Sequence, residues 1–590
     1  MLSQYLELCR GHPDAVVLFQ VGDFYEAFCE AAETVARVCE VTLTQREDST
    51  GTYPMAGVPI DNAASYLEAL LDADYRVAIA DQVEDAGEAA GLVDRAVTNV
   101  VSPGTVIDDD LLDRASATYL AALVERGPGK PNGVSDAPDD EPVAALATVD
   151  VSTGECRVTA GPTDRIREEL ERLAPAEVVV GPDVGLDASA LGFETMVTER
   201  DPAVFGRDAA DATLSGYVAE PAAVLDAPIE RRAVGGLLSY AEYTQGGDGA
   251  LPYVSRVQRY DLRRSLRLDA TALRSLEVFE SRQPGGCAAL VGAVDRTVCA
   301  LGRRRLEAWL RRPLVDDERI RRRHDAVAEL LDRPIAREAV REQLSAVYDL
   351  ERLAARISQE RADARDLRSL RATLAVVPEL KAALDDAESA ALRDLRTSLD
   401  ELGDVCDLIG RAIVPDPPQE ITEGGVIREG FDGDLDDLRA TEREGREWVA
   451  DLEASERERT GIDSLSVGHN QVHGYYIEVT NPNLDQVPED YTRRQTLKNA
   501  ERFYTPELKR REDEILGAAE RADTLEYERF REVRASVAAE TERLQAVADA
   551  LAELDALATL AAVAVERDYA RPTFHDGGFD IEAGRHPVVE

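Results

Sequence analysis

VGHNQVHGYYIEV, residues 467–479, interrupts an otherwise helical half of the chain with Val, Ile and Tyr, and its reading sets the architecture. That density of β-branched and aromatic residues marks strand. On its N-terminal side, stretches rich in Leu, Ala, Arg and Glu run from about residue 256 past Pro378, broken by turn signals such as Gln283-Pro284-Gly285-Gly286. On its C-terminal side residues 512–566 contain no proline, and apolar residues recur at Leu544, Val547, Leu551 and Leu554. The spacing predicts a nearly continuous helix of ~55 residues and ~80 Å. A strand-bearing tip between long helices has the form of a clamp on arms.

The N-terminal half reads differently. Strands are expected at residues 15–21 and 76–80 and helices at about 25–39 and 64–72, the pattern of a small mixed α/β domain. Residues 127–141, GPGKPNGVSDAPDDE, have no apolar periodicity and read as a linker or surface insertion. Beyond it, strands at 143–151 and 155–160 join through Ser152-Thr153-Gly154, followed by a helix at 164–173 and a strand at 177–180. That order suggests a second α/β domain.

A chain of 590 residues needs several cores, three to five by size. It holds no run of roughly 18 apolar residues and does not open on a signal peptide, so a cytoplasmic protein without membrane association is expected. The seven cysteines are scattered without C-x-x-C spacing, and the six histidines form no ligand cluster, so no metal site is expected.

A net charge of −48 argues against binding a polyanion. The acidity is spread over every segment, however, and Lys occurs only at 130, 381, 498 and 509, which suggests a surface adapted to concentrated salt. Against that background RRQTLKNAERFYTPELKRR, residues 493–511, is a basic island. It reads either as a solvated helix face with internal ion pairs or as a phosphate-binding surface.

In LFQVGDFYEAF, residues 18–28, Phe24, Tyr25 and Glu26 follow a strand and a Gly-Asp turn, at the expected opening of a helix. An exposed Phe there can wedge into a base step while a neighbouring carboxyl hydrogen-bonds a base edge. The alternative is that Phe24 and Phe28 pack a small core and Glu26 caps the helix. Asp150, on a strand, admits a nuclease reading, but two-metal chemistry needs several convergent carboxylates.

GDFYEAF (22–28), LTQR (43–46), YPMAGVP (53–59), SPGT (102–105), GGVIREGF (424–431), ERERTGIDSLSVGHNQVHGYYIEV (456–479), RRQTLKNAERF (493–503) and GRHPVVE (584–590) occur in the order and spacing of the MutS family, which the chain resembles along its whole length. The basic residues frequent in that family before SPGT are here Asp94 and Asn99. The resemblance implies a multidomain α/β plus all-α fold. It comprises a mixed α/β mismatch-recognition domain at 1–112, a linker at 113–141 and a ribonuclease H-like connector at 142–255. A helical core and lever domain follows at 256–445 and 506–570, with a DNA clamp inserted at 446–505 and the start of an ATPase domain at 571–590.

By the same resemblance Phe24 stacks on a mispaired base from the minor groove and Glu26 hydrogen-bonds it. Asn470, Arg493, Arg494, Lys498, Asn499 and Arg502 of the clamp contact backbone phosphates. The partners implied are double-stranded DNA with mismatches or small loops, a second copy of the full-length protein and a MutL-type protein. ATP and Mg2+ are implied for the full-length protein, but no G-x-x-x-x-G-K-[ST] occurs in these residues, and Gly127-Pro128-Gly129-Lys130 fails the spacing. The chain is therefore expected to stop short of the P-loop, to hold no cofactor and to be inactive as an ATPase. The alternatives are a MutS relative that binds DNA junctions in recombination and a ribonuclease H-like nuclease.

Overall fold

A computed structural model describes residues 1–48, 51–83, 93–108, 111–113, 116–126, 143–182, 184–247, 249–281, 289–418, 421, 424–470, 474–575 and 577–589. The expected linker at 127–141, the turn at 283–286 and His473 lie outside the described residues. Two units divide the chain, one of residues 1–359, 372–401 and 539–590, the other of 360–371 and 402–538.

The first unit opens with helix α1 (Leu2–Gly11) and strands β1 (Ala15–Val21), β2 (Phe24–Phe28), β3 (Thr44–Asp48), β4 (Gly51–Pro59), β5 (Arg76–Gln82) and β6 (Arg95–Val101), in sheet order β3-β4-β2-β1-β5-β6. β1 lies inside the sheet and is apolar on both faces, which is why its sequence is an unbroken hydrophobic run. Val17 and Phe19 pack with Tyr5 of α1, Phe28 and Val100 on one face. Val16 and Leu18 pack on the other with Val35 of α2 (Glu30–Val38) and Leu67 and Leu70 of α3 (Ala63–Asp72). The helix expected at 25–39 is therefore half strand. FYEAF pairs antiparallel with β1 on one side and β4 on the other, and the turn into α2 comes only at Cys29, at φ 57°.

A second sheet follows, with β7 (Leu120–Glu125), β8 (Ala144–Asp150), β9 (Glu155–Gly161), β10 (Glu177–Val180), β11 (Met196–Glu199) and β12 (Val257–Arg259) in the order β11-β10-β7-β8-β9-β12. α4 (Thr163–Leu173) covers one face through Ile166 and Leu170, and α5 (Pro228–Thr244) the other through Val234, Leu237 and Leu238. β7 falls within the expected linker, yet it is an inner strand, antiparallel to β8 and parallel to β10, with Leu120 to Val124 buried. Burial on both faces removes the alternation by which a strand is recognised.

The two sheets meet at Glu177, a fully buried carboxylate at the start of β10. Ser102 and Thr198 donate their hydroxyls to it, Tyr240 Oη donates at 2.8 Å, and Arg76 lies 3.6 Å away. Ser102 and Arg76 come from the first sheet's segment and the other three from the second's.

Farther along, the helices that carry the argument are α6 (Ala300–Arg311), α7 (Gly433–Thr460), α8 (Pro506–Ala538) and α9 (Thr541–Arg567). The expected continuous helix is thus two, α8 and α9, separated at Ala539-Glu540. Neither Gly nor Pro marks the break, so composition could not reveal it. The start of α9 is instead tied by tertiary contact, Thr541 Oγ1 lying 2.6 Å from Ser358 Oγ. α9 belongs to the first unit and is buried along most of its length through Leu544, Val547, Leu551, Leu554 and Leu557. Its Asp555 carboxylate accepts from the backbone N–H groups of Val298 and Cys299, at 3.1 Å each to Oδ2, and so caps the N-terminus of α6. Among the described residues 571–589 there is no strand, and Phe579 and Ile581 are exposed.

In the second unit α7 and α8 run antiparallel. Asp432 just before α7 pairs with Arg529, Arg439 with Glu526, and Trp448 lies under Arg511. At one end sits a four-stranded sheet of β13 (Ser466–Asn470), β14 (Gly474–Thr480), β15 (Thr492–Thr496) and β16 (Ala500–Tyr504), ordered β13-β14-β16-β15. Ile477, Val479 and Phe503 face a core made with Val449, Leu452, Leu508 and Ile515. Only the end of the basic island, from Pro506, is helix; residues 492–504 form the hairpin β15-β16. The expected boundary at 446 falls inside α7.

Replacing Glu177 by Ala takes the buried acceptor away from Arg76 and three hydroxyls. A loss of about 3 kcal/mol is expected, read in scanning calorimetry as a lower unfolding midpoint for the first unit, whereas Glu177→Gln, which still accepts hydrogen bonds, loses less.

Candidate nucleic-acid interface

Phe24 stands at the first position of β2, directly after a two-residue hairpin turn whose Gly22 has φ 60°, a left-handed conformation open to glycine at little cost. Strand alternation then puts Phe24, Glu26 and Phe28 on one face of the sheet and Tyr25 and Ala27 on the other. The two phenylalanines part company along that face. Phe28 is 2% exposed among Tyr5 and Phe19, whereas Phe24 is 46% exposed at the sheet's end. The expectation that both rings pack a small core therefore holds for Phe28 and not for Phe24.

Glu26 caps no helix. Its carboxylate pairs with Arg46 of β3, which reaches across β4 along the same face and also lies 6.0 Å from the Phe28 ring. Arg95 adds positive charge while covering Phe19 at 4.8 Å and donating to the Gln20 carbonyl. Burial pushes the Glu26 carboxyl above its ordinary value, and the guanidinium groups of Arg46 and Arg95 work against that shift. Arg46 and Glu26 are 20 residues apart and two strands apart, so no local spacing could have joined them. The only signal was the presence of LTQR among the quoted motifs.

The second constellation lies on the sheet of the other unit. Lys498 and Asn499 occupy the β15–β16 turn and are exposed. Asn481 braces that turn, donating its side-chain N–H to the Lys498 carbonyl at 3.1 Å and its backbone N–H to the Asn499 carbonyl at 3.0 Å. Arg493, with a side chain 62% exposed, pairs with Glu501 at 2.7 Å. Arg502 lies 3.9 Å over the Tyr476 ring, pairs with Glu478 at 2.9 Å and donates to Gln495 at 3.1 Å. Asn470 ends β13, half-buried.

Arg494 points inward. It donates to the Tyr475 carbonyl and lies 3.3 Å from Glu512, a carboxylate of α8 only 2% exposed. Glu512 also accepts from the Tyr475 backbone N–H at 2.6 Å and pairs with Lys509 at 3.0 Å. Gly474 makes this approach possible. At φ 72° it carries no side chain where a Cβ would lie 1.5 Å from the Glu512 carboxylate. Glu512 therefore fastens the sheet to its helix, a role the sequence did not suggest. Burial raises its carboxyl pKa, but Lys509, the Tyr475 N–H and Arg494 together bring it below its ordinary value.

Asp150 is committed elsewhere. Its Oδ1 accepts from the Ser152 N–H at 2.9 Å and its Oδ2 from the Thr118 N–H at 3.2 Å, so it shapes the β8–β9 turn. Among the described residues no three His, Cys, Asp or Glu side chains converge as metal ligands, and no helix is long and apolar enough to cross a membrane.

Two outcomes follow. Phe24→Ala should change stability by no more than about 0.5 kcal/mol, as an exposed site does, while Phe28→Ala costs about 3–5 kcal/mol, both measured by thermal unfolding. The stability Glu512 contributes is fully present above its unfolded pKa of about 4.3 and is lost as pH falls through the depressed folded value. Trp448 fluorescence should accordingly report acid loosening of the sheet in that window, and Glu512→Gln should weaken the sheet at neutral pH and flatten the dependence.

Comparison with known proteins gives an independent result. The chain matches the family models described as MutS domain I over residues 1–110, MutS domain II over 118–255 and MutS domain III over 271–561. It is 59% identical over 601 residues to a Haloquadratum walsbyi protein named DNA mismatch repair protein MutS, an alignment covering all of this chain and 63% of that relative. A Natronomonas pharaonis protein of the same name is 59% identical over 600 residues, with all of this chain and 68% of the relative covered. One from Symbiobacterium thermophilum is 42% identical over 620 residues, with all of this chain and 67% of the relative covered. The chain spans about two thirds of the length of these relatives. With three domain models in order and such identity along every part of it, the chain belongs to the MutS family.

Proposed function

We propose that this chain binds duplex DNA and recognises mispaired or unpaired bases. The observation that carries the reading is the exposed Phe24 ring at the end of a rigid hairpin, beside Glu26 on the same face. A ring so held can enter a base step from the minor groove, and mismatched steps cost less to kink than paired ones. Glu26 supplies the polar partner. Its carboxylate, held on that face by Arg46, can accept a hydrogen bond from a base edge.

Lys498, Asn499, Arg493, Arg502 and Asn470 are assigned to the DNA backbone, which positions a protein without reading sequence. Arg494 supports them by fixing the Tyr475 carbonyl and Glu512. For a protein of its relatives' full length, the resemblance extends the proposal to a cytoplasmic homodimer that uses ATP with Mg2+ and engages a MutL-type partner. The P-loop pattern G-x-x-x-x-G-K-[ST] does not occur in this sequence, and no step assigned to its residues runs through the nucleotide.

The test is binding of the chain and of Phe24→Ala to duplexes with and without one G·T mismatch or one unpaired T, in KCl of stated molar concentration. The wild type should prefer the mismatched duplex, and the variant should lose that preference while keeping its affinity for paired duplex. A variant that discriminates as well as the wild type removes Phe24 from the role, and a preference for four-way junctions over mismatches would favour the recombination reading.

A further inference from the structure

The clamp sheet, residues 466–504, is not a basic surface. Its four cations, Arg493, Arg494, Lys498 and Arg502, stand against five carboxylates, Glu478, Asp485, Glu489, Asp490 and Glu501. Every arginine is paired, Arg493 with Glu501, Arg494 with Glu512 and Arg502 with Glu478. The following helix repeats the pattern. Lys509 pairs with Glu512 and Asp513, Arg510 with Glu507 and Glu514, and Arg511 with Glu514. Lys498 makes no ion pair among the described residues, and its side chain is exposed.

We propose that the clamp grips DNA by exchanging partners between arginines and carboxylates with almost no net release of salt ions, and that Glu501 and Glu478 set this behaviour. The inference rests on the DNA-binding reading above. A free cation that meets a phosphate releases about 0.9 of a condensed counterion, and that release makes binding weaken with salt. A paired arginine behaves otherwise. When Arg493 turns to a phosphate, Glu501 is left bare and takes up a cation from solution, which offsets the one the DNA gives off.

The geometry suits such an exchange. The Arg493 side chain is mostly exposed, and its contact to Glu501 is close without the alignment of a hydrogen bond, the Glu501 Oε2 atom being buried with no donor. Arg502 is held by Glu478 on the outward face, over Tyr476. Arg494 stays out of the exchange, because it is fixed by a backbone carbonyl and a buried carboxylate. The clamp's share of the salt slope then comes from Lys498 and is about −0.9 in log K against log salt, where four free cations would give about −3.6.

The experiment measures affinity of the full chain for a paired duplex by fluorescence anisotropy from 0.2 to 2 M KCl. Glu501→Gln and Glu478→Gln should each steepen the slope by about 0.9, so that a tenfold rise in KCl costs about eightfold more affinity than in the wild type. Lys498→Ala should make it shallower by the same amount. Arg493→Ala should lower affinity without changing the slope, an outcome that a simple phosphate contact would not give. Circular dichroism checks that each variant folds, and if Glu501→Gln does not, the more exposed Glu478 decides. Unchanged slopes in the glutamine variants, or an Arg493→Ala slope that falls like that of Lys498→Ala, overturn the proposal while leaving DNA binding intact. Failure of the wild type to bind duplex at any KCl concentration overturns the DNA-binding reading and this inference with it.

Discussion

A carboxylate taken out of water must be met by donors or cations, because the cost of leaving it bare exceeds what one ordinary contact returns. In this acidic chain that requirement joins segments far apart in sequence. Glu177 gathers Ser102, Thr198, Tyr240 and Arg76 between two sheets, and Asp555 fixes the start of α6. In the other unit Glu526 accepts from the N–H groups of Gly425 and Ile427 and pairs with Arg439, while Glu512 joins the four-stranded sheet to α8. Each stands where apolar packing alone would let one element slide against another. The positions of the exposed groups depend on these inner fastenings.

The hairpin that presents Phe24 shows how a scaffold makes a side chain available. Its ring is exposed because Phe28, two steps along the same strand, is buried beneath Tyr5 and Phe19, and because β1 is anchored on both faces. The hairpin cannot fold the ring inward without withdrawing Phe28 from its core. Exposure of a large aromatic is thereby made a property of the fold rather than of a loose loop, which is the condition for a wedge to do mechanical work on a base step.

How much of this was legible depended on whether a signal was local. β1, β5, β8, β9 and β10 were visible as apolar runs between turn residues, and their limits in the structure differ from expectation by a few residues at most. β7 was hidden because LAALVE carries no alternation and abuts a Pro- and Gly-rich stretch. β2 was taken for the beginning of a helix because Glu26 breaks an otherwise apolar strand, and only the ion pair with Arg46 explains a charge there. The division of α8 from α9 had no signal at all, since it is imposed by what each helix packs against. Phe24 and Glu26 could be singled out from motif order, but their unequal exposure and the partner Arg46 follow from register across three strands.

Charge was the local quantity that folding altered most. Counted along the chain, residues 493–511 are a positive island in a negative protein, and that count recommended a phosphate-binding surface. Folding brings Glu478 from a neighbouring strand to Arg502 and places Glu512 from the next helix against Arg494, so the island loses part of its excess without losing a single arginine. A surface of this kind can still recognise a phosphate backbone, because bidentate geometry and stacking orient a guanidinium whether or not its charge is balanced. What it gives up is long-range attraction, which is screened beyond a few ångströms at molar salt in any case. An acidic chain in concentrated salt therefore sacrifices little by pairing its arginines, since each keeps a carboxylate partner until a phosphate replaces it.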